Sequence, residues 1–133
     1  MSASDGIRRP VETDQAPAPI GPYSQAIIAG GVLYCSGQVP LDPATGELVE
    51  GGIAEQAARC LESLEAVCRA AGTRLTDAAR IGIYLTDMSL FPKVNDVYAT
   101  FFHKPFPVRT TVGVAALPKG ALVEMDATVP LSP

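Results

Sequence analysis

What limits this chain most is a change of hydrophobic period along it. From Ile53 to Ala71 the apolar residues recur at helical spacing. Ile53, Ala57, Cys60, Leu61, Leu64, Val67, Cys68 and Ala71 form one face, with Glu55, Arg59, Glu62 and Arg69 largely off it. Gly72 follows where a left-handed helix cap belongs. Elsewhere the period drops to two. Ile81, Ile83 and Leu85 alternate with Gly82, Tyr84 and Thr86, and Val123, Met125, Ala127 and Val129 oppose Leu122, Glu124, Asp126 and Thr128. A chain that switches between these periods must pack helices on a sheet.

The remaining elements follow from turn chemistry. Ala26–Ala29 and Val32–Val39 read as strands joined at Gly30-Gly31 in a tight hairpin. Pro40 ends the second strand, and Asp42-Pro43-Ala44-Thr45-Gly46 is a turn by composition. Ser89 is the expected N-cap of a second helix that tolerates Pro92 in its first turn and runs to about Phe102, burying Phe91, Val94, Tyr98, Phe101 and Phe102. Arg109–Val114 and Leu122–Val129 close the chain as strands, linked through Leu117-Pro118-Lys119-Gly120. Residues 1–16 show no period and read as a flexible tail ahead of a single domain, 17–133. Ala16-Pro17-Ala18-Pro19-Ile20-Gly21-Pro22 is too rich in proline for helix or central strand and delivers Tyr23-Ser24-Gln25 to the fold.

The expected fold is therefore α+β, with element order ββαβαββ: one five-stranded sheet with two helices on one face. Two helices cannot cover both faces. The uncovered face is expected to carry Arg109, Glu124 and Asp126 among smaller residues, so it must be wet or buried against another subunit. An oligomer with a polar, partly enclosed interface is expected.

Composition narrows the functions. The chain has 133 residues, 47% of them hydrophobic and 18% charged, which suits one folded domain with one core. A net charge of −4 without a basic stripe argues against a nucleic-acid partner. No apolar run reaches the roughly 18 residues of a membrane span. Arg8 and Arg9 are not followed by an apolar stretch, so no secretory signal is expected and a cytoplasmic location is the default. Cys35, Cys60 and Cys68 lack CxxC spacing and read as buried thiols rather than disulfide or zinc ligands. The single histidine, His103, has no partner at ligand spacing and reads as a helix-end residue. There is no GxGxxG, no GxxxxGK[ST] and no GxSxG. No metal and no cofactor are expected.

A few residues remain that could carry chemistry. Arg109 follows Phe106-Pro107-Val108 at a strand start. Arginine does not deprotonate, so it cannot act as acid or base. It either grips a carboxylate or phosphate bidentately or forms an internal ion pair with Glu124 or Asp126. Glu124 is the acid best placed to handle water or a proton, unless it is simply a solvent-facing strand residue. Tyr23, fixed behind Gly21-Pro22, either donates a hydrogen bond to a ligand or packs at the chain entry. Ser36 and Asn95 are weaker candidates.

Several segments taken together resemble the Rid family (reactive intermediate deaminase, also called YjgF or translation-inhibitor endoribonuclease-like). They are Ile20-Gly21-Pro22-Tyr23-Ser24-Gln25-Ala26, Ser36-Gly37-Gln38-Val39-Pro40, Val94-Asn95, Pro107-Val108-Arg109-Thr110-Thr111, and Leu117-Pro118-Lys119 leading to Val123-Glu124-Met125. The resemblance spans about residues 13–131. It implies a chorismate-mutase-like fold assembled as a homotrimer, with sites in clefts between subunits. It also implies cofactor-free hydrolysis of enamines and imines, such as 2-aminoacrylate and 2-iminopropanoate, to 2-oxo acids and ammonia. That is activity of the 2-iminobutanoate/2-iminopropanoate deaminase type, which protects against metabolite damage. On this resemblance Arg109 clamps the substrate carboxylate, Tyr23 is the pocket tyrosine and Glu124 positions the attacking water. Ser36, Gly37 and Asn95 line the pocket. Thr110 and Thr111 supply backbone N–H groups. Thr111 departs from the pattern, because the archetypal subfamily has cysteine there; threonine keeps the N–H that helps hold the substrate. Two other readings stand beside this one: a regulatory protein that binds small carboxylates in the same pocket without turnover, and an endoribonuclease or translation inhibitor, an activity found among proteins of the family it resembles. The acidic charge balance weighs against the latter.

Overall fold

The computed structural model describes residues 6–133. Strand β1 is Arg9–Val11, β2 is Ala26–Ala29 and β3 is Val32–Gln38; helix α1 is Ile53–Ala70; β4 is Arg80–Leu85; helix α2 is Phe91–Tyr98; β5 is Val108–Gly113 and β6 is Val123–Pro130. They form a mixed α+β structure with a six-stranded sheet in the order β1-β2-β3-β6-β4-β5. Among the described residues only β4 and β5 pair in parallel.

Each helix is a crossover. β3 and β4 both run antiparallel to β6, which lies between them, so α1 joins two parallel strands, as α2 does between β4 and β5. Both connections step the same way along the sheet. One handedness therefore lays both helices on one face, where α1 packs against β3, β6 and α2. The core forms between them. Leu33, Ile81, Ile83, Leu85, Val123, Met125 and Val129 from the sheet meet Ala57, Leu61, Leu64 and Val67 of α1. Burying each large side chain contributes about 1.5–3 kcal/mol. Cys35, Cys60 and Cys68 are free and buried in this core, as expected. Burial pushes the Cys60 thiol far above its ordinary value, which removes its reactivity.

The hairpin forms at Gly30-Gly31, where both residues have positive φ, +58° and +74°. That is the pair of conformations a two-residue hairpin turn requires.

Three expectations change. The N-terminal segment is not a tail throughout. Residues 1–5 lie outside the described residues, but Arg9–Val11 pairs with β2, and Val11 and Ala16 are buried. The anchor is Gln25. Its buried amide accepts from Thr13 N at 2.8 Å and donates to the carbonyls of Thr13, Ala16 and Pro17 at 3.0, 3.3 and 2.9 Å. Ser89 does not cap the second helix: Asp87 caps the 3-10 turn Met88–Leu90 that leads into it, and Leu90, the N-cap of the helix itself, makes no side-chain cap hydrogen bond. The Asp87 carboxylate accepts from Ser89 N and Oγ at 2.9 and 2.7 Å, a short 3-10 turn follows, and the regular helix ends at Tyr98.

The third change bears on function. Arg109 stands opposite Ile81, on the helix-covered face, whereas Glu124 stands opposite Tyr84 and Asp126 opposite Gly82. Ile81 and Tyr84 are three apart on β4, so their side chains point to opposite faces. The uncovered face thus carries Glu124 and Asp126 without Arg109. Nor does Arg109 pair with either acid. Asp126 instead accepts from Tyr84 OH at 2.8 Å and from Arg80 at 3.3 Å.

Candidate functional site

The candidate residues fall into two groups. The first lies along β5, the last strand of the sheet. Arg109 projects there against α2, with its guanidinium carbon 4.8 Å from the centre of the Tyr98 ring and 5.3 Å from that of Phe91. Phe91, Asn95 and Tyr98 are spaced four and three apart, so Asn95 shares the helix face that holds the guanidinium. The Tyr98 ring is backed by Phe102 at 4.4 Å. Contact with ring faces holds a cation while leaving its N–H edges for an anion. Among the described residues no carboxylate lies within ion-pair distance of Arg109.

The backbone adds donors to this group. Val108 N donates to Ala79 O at 2.9 Å and Val114 N to Leu85 O at 2.8 Å. In a parallel pair the bonding residues alternate, so the N–H groups of Arg109, Thr111 and Gly113 point away from β4 to the open sheet edge. Thr110 turns its side chain to the other face. The Thr111 hydroxyl lies on the Arg109 side, buried and without a partner, as is the Tyr98 hydroxyl. Burial raises the Tyr98 phenol above its ordinary value, while the Arg109 charge opposes the rise.

The second group lies where β3 meets β6. The register slips between Cys35 and Gln38, so Ser36 and Gly37 form a bulge against β6. Gly37 lets the Glu124 carboxylate lie directly against the bulge, since a Cβ there would overlap it and push the carboxylate aside. Glu124 lies across the bulge, half-buried. Burial, and secondarily the charge of Asp126, raise its carboxyl above the ordinary carboxylate value. The Ser36 hydroxyl donates to Ser24 O at 2.6 Å, and Ser36 N donates to Gln25 O at 2.9 Å. These bonds tie the Tyr23 segment to the bulge. Tyr23 is 47% exposed and its hydroxyl accepts from Ile20 N at 3.3 Å. Tyr23, Tyr34 and Ser36 open onto a hollow of about 420 Å³.

Each group is thus assembled locally, but the two do not meet within one chain. β4 separates β5 from β6, roughly 9–10 Å of sheet, and Arg109 and Glu124 leave that sheet on opposite faces. Sequence reasoning took Phe91 and Tyr98 for core alone. Their spacing around Asn95 was the available signal for a cation platform. The Arg80–Asp126–Tyr84 cluster beside Glu124 was also missed. His103 is exposed just beyond α2, and among the described residues no helix is long and apolar enough to cross a membrane.

Comparison with known proteins bears on this arrangement. The profile of the family described as Endoribonuclease L-PSP matches residues 13–130. The RutC family protein y4sK of Sinorhizobium fredii is 48% identical over 123 residues, covering 92% of this chain and 98% of that one. The 2-iminobutanoate/2-iminopropanoate deaminase of Bos taurus is 45% identical over 121 residues, covering 91% and 88%. The crystal structure of E. coli TdcF with bound serine superimposes with a TM-score of 0.87 at 35% identity, covering 92% and 98%. The chain therefore belongs to the Endoribonuclease L-PSP family, the group also called Rid, YjgF or RutC. Relatives named as imine deaminases support an enzymatic kind of function.

Proposed function

We propose that copies of this chain associate, as a homotrimer, to hydrolyse 2-imino acids and their enamine tautomers to 2-oxo acids and ammonia, in sites completed between neighbouring copies. The observation that carries this reading is the separation of Arg109 from Glu124. Arg109 has aromatic support, open N–H edges and no acid partner among the described residues, so it is prepared for a carboxylate from outside the chain. Glu124 is a half-buried carboxylate with raised affinity for a proton, as suits a general base toward water. A neighbour's Glu124 brought to the β5 edge supplies what one chain lacks. Relatives named 2-iminobutanoate/2-iminopropanoate deaminase support the reaction class.

In this reading the guanidinium of Arg109 takes the substrate carboxylate bidentately. The outward N–H of Thr111 donates to the bound substrate, and the neighbour's Glu124 draws a proton from water as it adds to the imine carbon. The tetrahedral adduct loses its nitrogen as ammonia once protonated, and the C=O of the 2-oxo acid forms. Orientation can be worth several kcal/mol and general-base help about 10²–10⁴-fold. Tyr23, Asn95 and the Ser36-Gly37 bulge shape the surrounding walls.

The test is a competition. An amino-acid oxidase generates 2-iminopropanoate and semicarbazide traps it. The protein is expected to suppress semicarbazone formation in a dose-dependent way; full trapping at micromolar protein would contradict the proposal. The serine held by E. coli TdcF favours a second reading, carboxylate binding without turnover. Saturable binding of a 2-oxo acid with no suppression of trapping would select it.

A further inference from the structure

Beside Arg109 lies a hollow of about 300 Å³ walled by Tyr98, Ala99, Phe106 and Pro107. Among the described residues Arg109 is the one charged residue that lines it. Tyr98 presents ring rather than hydroxyl to this space, because its hydroxyl is buried from solvent. Phe106 is 52% exposed and adds an aromatic wall to the hollow. Ala99 is small and exposed at the end of α2, and a larger side chain there would fill the space. An apolar cavity with one cation on its wall matches an amphiphilic anion: a carboxylate on the guanidinium and a hydrocarbon group beside it.

We propose that this hollow is the side-chain pocket of the Arg109 site and that it selects 2-oxo and 2-imino acids with longer or branched hydrocarbon side chains over the single methyl of 2-iminopropanoate. The inference deepens the proposed function and rests on Arg109 holding the ligand carboxylate. Three carbons beyond a methyl leave a 300 Å³ hollow far from full, and each added methylene in an apolar pocket raises kcat/KM by about tenfold or more.

The full-length protein is assayed by the same trapping competition, with imines generated from alanine, 2-aminobutyrate, norvaline and leucine. Suppression is expected to rise at least about tenfold from the alanine-derived to the leucine-derived imine. Ala99→Trp places a bulky ring in the hollow. It is expected to abolish the gain from longer side chains, seen as loss of the difference between the leucine-derived and alanine-derived imines. A flat or falling series in the wild type, or an equal loss on all imines in the variant, overturns the pocket while the deaminase reading stands. If no imine is turned over, that reading fails and calorimetry decides the pocket alone. Tighter binding of 4-methyl-2-oxopentanoate than of pyruvate, lost in Ala99→Trp, supports it, and equal binding overturns it. A variant that changes the assembly in sedimentation but not the side-chain preference assigns the hollow to a contact between copies and also overturns the inference.

Discussion

At the scale of single residues, the proposed chemistry divides between a fixed cation and a tuned carboxylate. Arg109 lies on Tyr98 and Phe91 with its edges open. Arg109→Lys keeps the charge and loses the planar fork, so kcat/KM for imine hydrolysis should fall by about 100-fold or more with no change in sedimentation. Glu124 is held above the ordinary carboxylate value by burial and then by Asp126, which Tyr84 and Arg80 hold in place. The base form exists only above that raised value, so the acid limb of the pH–rate profile is displaced upward. Asp126→Asn removes one cause of the rise, and the limb should move to lower pH. Stability follows the same sign. Between its ordinary and its raised value the folded carboxyl holds more protons than the unfolded one, so its contribution to stability falls as pH rises through that window and stays unfavourable above it. Glu124→Gln should therefore abolish turnover while leaving the melting temperature at neutral pH equal or higher.

Among the elements, the long helix, β4 and β6 were plain in the sequence because a core imposes their period. Leu61 and Leu64 of α1, or Met125 and Val129 of β6, have no other place to go. β1 was not legible. Arg9-Pro10-Val11 is three residues long with a proline on a sheet edge, and its place depends on the distant side chain of Gln25. Gln25→Ala strands the Thr13, Ala16 and Pro17 backbone groups. It should cost about 1–3 kcal/mol, seen as a lower urea midpoint with unchanged slope. β5 shows the opposite imbalance. It leaves an outer row of N–H groups unpaired beside the exposed Val108 and Val112, 68% and 40% accessible. Proteins seldom leave such an edge uncovered.

At the scale of the whole molecule, the candidate residues were legible as a set and illegible as a geometry. The segments around Tyr23, Ser36, Asn95, Arg109 and Glu124 mark a family. Alternation within β5 or β6 says nothing about whether Arg109 and Glu124 share a face, because that depends on β4 lying between the two strands. The pairing puts them on opposite faces, so the proposed reaction needs two copies of the chain to bring the two residues together, with the bare β5 edge and the uncovered sheet face available for contact. The most direct test is subunit complementation. Arg109→Lys and Glu124→Gln proteins, each inactive alone, are mixed in equal amounts, unfolded and refolded together. Random assembly of sites that take one residue from each of two neighbours should restore about a quarter of wild-type imine-hydrolysing activity. Activity no higher than that of either variant alone would contradict a site shared between copies.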